Sequence, residues 1–156
     1  MHGRSRNQTL LNQDFKEMLS ELNDGRAEFL LIGAYALAAH GYPRATGDMD
    51  LWVRPEPENA TRVYEALAKF GAPLHELSAD DLSKPDVVFQ IGVAPCRIDI
   101  LTTISGVEFT DAWKRRMTLE IEGVVVNVIG RQDLIANKRA CGRPKDIADI
   151  NELESD

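Results

Sequence analysis

A tight glycine turn, Leu31-Ile32-Gly33-Ala34, is followed after 13 intervening residues by Asp48-Met49-Asp50-Leu51. In a strand, residues two apart point to the same face, about 6.5 Å apart along the chain. The alternation of acid and apolar residues therefore predicts a strand with Asp48 and Asp50 on one face and Met49 and Leu51 on the other. A third carboxylate, Asp99, has the same setting in Arg97-Ile98-Asp99-Ile100. The apolar run at 28–32 reads as a buried strand, and Gly33 turns it into an alanine-rich helix over 34–40. Strand, glycine turn, helix and acid-bearing strand together call for an α/β (α+β) domain on a mixed β-sheet flanked by helices.

The rest of the chain fits that class. Apolar residues at helical spacing predict helices over 9–22 and 58–70, the second stopped by Gly71. Residues 72–86 read as a loop with one helical turn. Strands are expected over 87–93 and 96–101, and a hairpin over 117–129 that turns at Glu122-Gly123. Helices are expected over 109–116, 131–140 and 144–153. With 156 residues, the chain is expected to form a single domain over 9–156 behind a flexible N-terminus at 1–8.

Eighteen Lys and Arg against 25 Asp and Glu leave a formal charge of −7, which lowers the general attraction to nucleic acid. Two cysteines, Cys96 and Cys141, provide neither a disulfide framework nor a zinc-ligand spacing, so a reducing, cytoplasmic setting is expected. Neither a signal peptide nor a run of the roughly 20 apolar residues that span a membrane is evident, and no membrane association is expected.

If the strand at 96–101 lies beside the strand at 48–53, the three carboxylates converge. Clustered carboxylates repel one another unless a cation joins them. Magnesium suits such a set, because it takes oxygen ligands and keeps phosphate oxygens in its shell. Glycine at position 33 lets the backbone approach a ligand, and the amides that open the following helix suit a phosphate. These parts compose a site for a nucleoside triphosphate.

The run Ile32-Gly33-Ala34-Tyr35-Ala36, then Arg44, Thr46 and Asp48-Met49-Asp50, with the later Asp99, resembles the polymerase-β-type nucleotidyltransferase superfamily. Within it, the pattern is similar to the small bacterial AbiEii-like and toxin–antitoxin group. The closing run Asp133-Leu134-Ile135, Lys138, Gly142-Arg143-Pro144-Lys145-Asp146 and Asp149 also resembles the end of that group. The resemblance spans residues 29–153. It implies a magnesium-dependent enzyme, with two metal ions, that moves a nucleoside monophosphate from an NTP such as ATP to a hydroxyl acceptor and releases pyrophosphate. Asp48, Asp50 and Asp99 would be the catalytic and metal-binding residues. Gly33, Ala34, Arg44, Thr46, Lys138 and Lys145 would bind the nucleotide. The acceptor would be RNA (tRNA included), a protein or a small molecule. A homodimer or a cognate toxin or antitoxin partner is implied as well. The alternative is a catalytically weak or silent component of a toxin–antitoxin or regulatory pair. Ala34 motivates it, because the broader superfamily often has Ser or Gly at that position.

The same residues have plainer readings. Thr46 can bond locally to backbone. Lys138 and Lys145 can be ordinary helix-surface cations, and Arg143 can pair with Asp146 across one helical turn for a few tenths of a kcal/mol. Lys114-Arg115-Arg116 reads as a solvated helix end before it reads as an RNA contact. His40 is expected to be structural or on the surface. Trp52 and Trp113 are expected in the core or an interface, although Trp52 shares the strand face of Asp48 and Asp50.

Overall fold

The computed structural model describes residues 11–93 and 95–155. The expected flexible stretch at 1–8 lies outside them. Helix α1, Gln13–Asp24, leads into strand β1, Phe29–Ile32, and then directly into helix α2, Gly33–Ala39. Strand β2, Asp48–Val53, is followed by helix α3, Pro57–Phe70, and by a short 3₁₀ turn at Asp80–Ser83. Strands β3, Val88–Val93, and β4, Cys96–Leu101, precede helix α4, Phe109–Lys114. The hairpin β5, Met117–Ile121, and β6, Val124–Val128, leads to helices α5, Arg131–Cys141, and α6, Pro144–Glu154.

The six strands form one mixed sheet in the order β3-β4-β2-β1-β6-β5. Strand β2 runs antiparallel to β1 and parallel to β4. Its side chains alternate as the sequence predicts: Met49 and Leu51 are buried, while Asp48 and Asp50 are partly open. Ile98 and Ile100 of β4 continue the buried face beside them. Phe15, Met18, Leu19 and Leu22 of α1 join Val63 and Leu67 of α3 in the same core, where the two helices pack together.

One local difference from the sequence reading has a clear cause. Helix α1 starts at Gln13 rather than at residue 9, because the Asn12 side chain accepts from the Phe15 amide at 2.8 Å and caps it. Trp52, farther along the acid face of β2, is buried core, as expected. It donates to the Thr102 carbonyl at 3.3 Å and meets Phe109 of α4 edge to face. Among the described residues, no helix is long and apolar enough to cross a membrane.

Candidate active site

Two adjacent strands carry the acids to one place. Register sets Asp50 opposite Asp99 across β2 and β4, and Asp48 opposite Arg97. Ile32, the last residue of β1, pairs with Asp50 from the other side. The chain then turns at Gly33 with φ +69°. A Cβ at this position would stand 2.4 Å from Asp50 Oδ2, so the turn needs glycine for both its backbone angle and its space. Gly47, just before β2, is also pinned: a Cβ there would collide with the Pro95 carbonyl of the β3–β4 turn.

Burial raises the Asp50 carboxyl from 3.8 to about 6, and the neighbouring Asp99 and Asp48 add to the effect. Asp48 and Asp99 both reach Arg97. The guanidinium Nε donates to Asp99 Oδ1 at 2.9 Å, and Nη2 donates to Asp48 Oδ2 at 3.2 Å. Among the described residues, no three acid, histidine or cysteine side chains stand in an arrangement ready for a metal ion. The donor chemistry nonetheless fits a hard divalent cation. All three side chains offer oxygen, they share one sheet face, and the Asp50 carboxyl, raised chiefly by burial, is raised further by Asp99 and Asp48, a repulsion that a cation would relieve.

Beside the acids lies a cleft of ≈ 420 Å³. Gly33, Ala34, Arg44, Thr46, Asp48, Asp50, Lys138 and Lys145 line it, so the structure brings all the nucleotide-binding candidates together with two of the three acids. Asp99 stands next to them through its register with Asp50. Thr46 does what its local reading predicts: its hydroxyl accepts from the Asp48 amide at 3.1 Å and fixes the start of β2.

One cation of this cleft, Lys138, differs from its plain reading as a surface residue. Lys138 is 8% exposed and is no surface cation. Its Nζ lies 3.0 Å from Asp149 and 3.7 Å from Asp146 of α6. Arg44 also binds Asp149, at 2.7 Å, together with Glu152. Arg143 pairs with Asp146 as expected, at 2.6 Å, but Asp146 is fully buried and also accepts from the Arg143 amide, capping α6. Removing Arg143 alone would therefore cost more than breaking an exposed helical pair, because it strips a partner from a buried carboxylate. The Arg143 guanidinium holds Asp146 below the usual carboxylate range. Burial pushes Asp149 upward, yet hydrogen bonds from Arg44 and Lys138 leave it lowered overall. Lys145 is exposed and has no ion-pair partner among the described residues.

Sequence reasoning gave no site role to Arg97, Arg143 or Asp149, although Arg143 and Asp149 belong to the closing run it singled out. Arg97 was visible as a cation two residues before Asp99, hence on the same strand face. The basic run near residue 115 is partly consumed internally. Arg115 forks onto buried Asp133 at 2.9 and 3.0 Å, and Arg116 stacks over Trp113. His40 is structural, with Nε2 2.8 Å from the Ile129 carbonyl.

A family model described as a nucleotidyltransferase of unknown function (DUF6036) matches residues 8–154. The chain belongs to this nucleotidyltransferase family. Among solved structures, it is similar to a candidate nucleotidyltransferase from Thermotoga maritima, with a TM-score of 0.60 at 13% identity over 90% of each chain. It is also similar to the lincosamide antibiotic adenylyltransferase LnuA in its lincomycin-bound form, with a TM-score of 0.59 at 13% identity over 94% of this chain and 98% of that one. At such identities these likenesses establish the fold. No curated protein sequence matches significantly.

Proposed function

We propose that this family member is a magnesium-dependent nucleotidyltransferase that moves a nucleoside monophosphate from an NTP to a hydroxyl acceptor. The observation that carries the reading is the register of Asp50 with Asp99, beside Asp48 and directly over the Gly33 turn. Asp48, Asp50 and Asp99 hold the cation. Bound magnesium supplies charge neutralisation at the phosphates and makes the acceptor hydroxyl easier to deprotonate. Gly33 and Ala34 lie beneath the triphosphate and let it approach the backbone. Asp99 takes the proton as the acceptor oxygen bonds to the α-phosphorus, and the bond from that phosphorus to the bridging oxygen breaks to release pyrophosphate. Lys145 faces the phosphates freely, whereas Arg44 and Lys138 reach them only by sharing with Asp149. Catalysis of this kind rests on positioning and charge stabilisation.

A small-molecule acceptor is the first class to test, because one structural neighbour is an antibiotic adenylyltransferase. Internal use of Arg115 and Arg116 weakens the case for tRNA or other RNA. The second reading is a weak or silent member of a toxin–antitoxin or regulatory pair, as in the AbiEii-like group. Ala34, which has no hydroxyl, and the pre-neutralised cations of the cleft favour it.

Turnover of α-labelled NTPs with magnesium and a panel of hydroxyl acceptors tests the leading reading. Wild type should transfer label and release pyrophosphate, and Asp48→Asn/Asp50→Asn should do neither. Equal turnover by both proteins would refute the assignment. No turnover, together with copurification of a stoichiometric partner, would favour the second reading.

A further inference from the structure

The three aspartates occupy three corners of a four-residue square on the sheet, and Arg97 is the fourth. Register opposes Asp50 to Asp99 and Asp48 to Arg97. The guanidinium uses this place fully. Besides its 2.9 Å bond from Nε to Asp99 Oδ1, its Nη2 reaches Asp99 Oδ2 at 3.3 Å and Asp48 Oδ2 at 3.2 Å. It thus occupies both oxygens of one proposed metal ligand and one oxygen of a second. Arginine keeps its charge at any working pH, so this is a permanent cation tethered among the acids. The Arg97 side chain is 33% exposed, which gives it a path to water. A divalent ion held by the same carboxylate oxygens would lie within a few ångströms of the guanidinium and be repelled by it.

We propose that Arg97 is a built-in counter-ion that competes with the divalent cation for Asp48 and Asp99, so that metal loading requires the guanidinium to let go of both. The inference rests on the proposed metal-dependent reading of the same site. In the metal-free protein, Arg97 holds β2 and β4 together through their acids. In the loaded protein, the metal takes over that duty. Arg97 therefore sets the metal concentration at which the site switches on. A purely structural Arg97 would instead support metal binding, because its loss would loosen the acids.

Manganese titrated into metal-stripped wild type, Arg97→Met and Arg97→Lys, followed by calorimetry, separates these cases. Arg97→Met should bind manganese about tenfold tighter or more than wild type, since removing one nearby unit charge is worth at least that factor at an effective dielectric of about 20. Arg97→Lys keeps the charge but loses the fork, and should fall between the two. The rise in Tm on manganese saturation should be larger for Arg97→Met than for wild type. Should Arg97→Met not fold, wild type still answers: the Arg97 Nε–H resonance should move when magnesium is added. Finite but equal affinity in wild type and folded Arg97→Met, weaker affinity in the variant, or an unmoved Nε–H signal in a magnesium-loaded protein overturns this inference alone. No manganese binding in any variant overturns it together with the metal-dependent function.

Discussion

Gly33 lies against Asp50 so closely that a Cβ on the glycine would stand 2.4 Å from the carboxylate Oδ2. One residue therefore shapes the turn out of β1 and sets the position of an acid on β2. Gly33→Ala forces a side chain into φ +69° and pushes Asp50 aside. We expect a loss of about 2 kcal/mol in stability by urea denaturation, with manganese affinity falling at least tenfold. Unchanged affinity in the folded variant would mean that the turn does not position the acid.

Asp50 imposes a stability cost with a definite pH signature. Its folded carboxyl is raised to about 6 from an ordinary 3.8, chiefly by burial. A raised acid favours the folded state fully below about pH 4, and that contribution is lost as pH rises through about 6. Metal-free wild type should therefore lose stability across this window. Asp50→Asn should lack that decline and exceed wild type by up to about 3 kcal/mol at pH 7.5 in EDTA. Denaturant titrations at pH 4.5 and pH 7.5 measure it, and parallel losses in both proteins would contradict the assignment to Asp50.

The α5–α6 end behaves in the opposite sense. Asp146 and Asp149 are held below the usual carboxylate range, Asp146 by Arg143 and Asp149 by hydrogen bonds from Arg44 and Lys138 that outweigh its burial. Lowered acids contribute stability above about pH 4 that disappears as pH falls through their folded values. Acid should therefore release α6. At neutral pH, Asp146→Ala removes the α6 cap and one partner of buried Lys138. A cost of about 3 kcal/mol is expected by thermal or urea unfolding. A loss below about 0.5 kcal/mol would show that the network carries little weight, as exposed ion pairs do.

The acid face was legible before the fold was. Asp48-Met49-Asp50-Leu51 and Arg97-Ile98-Asp99-Ile100 alternate so regularly that strand and face follow from period alone, and along this part of β2 burial follows too, whereas Asp99 is buried together with Ile98 and Ile100. The glycine turn could also be read, because Gly33 separates a four-residue apolar strand from an alanine-rich helix. Strand neighbours and register are tertiary facts. Arg97 can be placed on the face of Asp99 from spacing alone, but nothing local says that β4 lies parallel to β2 with Asp48 opposite Arg97, so its reach to Asp48 is a tertiary fact. Lys138 misled for a similar reason. On a polar helix it looks like a surface cation, and only the fold-back of α6 across the Gly142 turn brings Asp146 and Asp149 onto it.

The central claim is that Asp48, Asp50 and Asp99 form a metal-holding site for a nucleoside triphosphate over the Gly33 turn. A crystal structure with magnesium and a non-hydrolysable NTP tests it most directly. The account predicts metal density ligated by oxygens of all three aspartates, triphosphate against Gly33 and Ala34, and Arg97 turned away from Asp48 and Asp99. Triphosphate bound elsewhere, with no metal at the acids and Arg97 still bridging them, would contradict it.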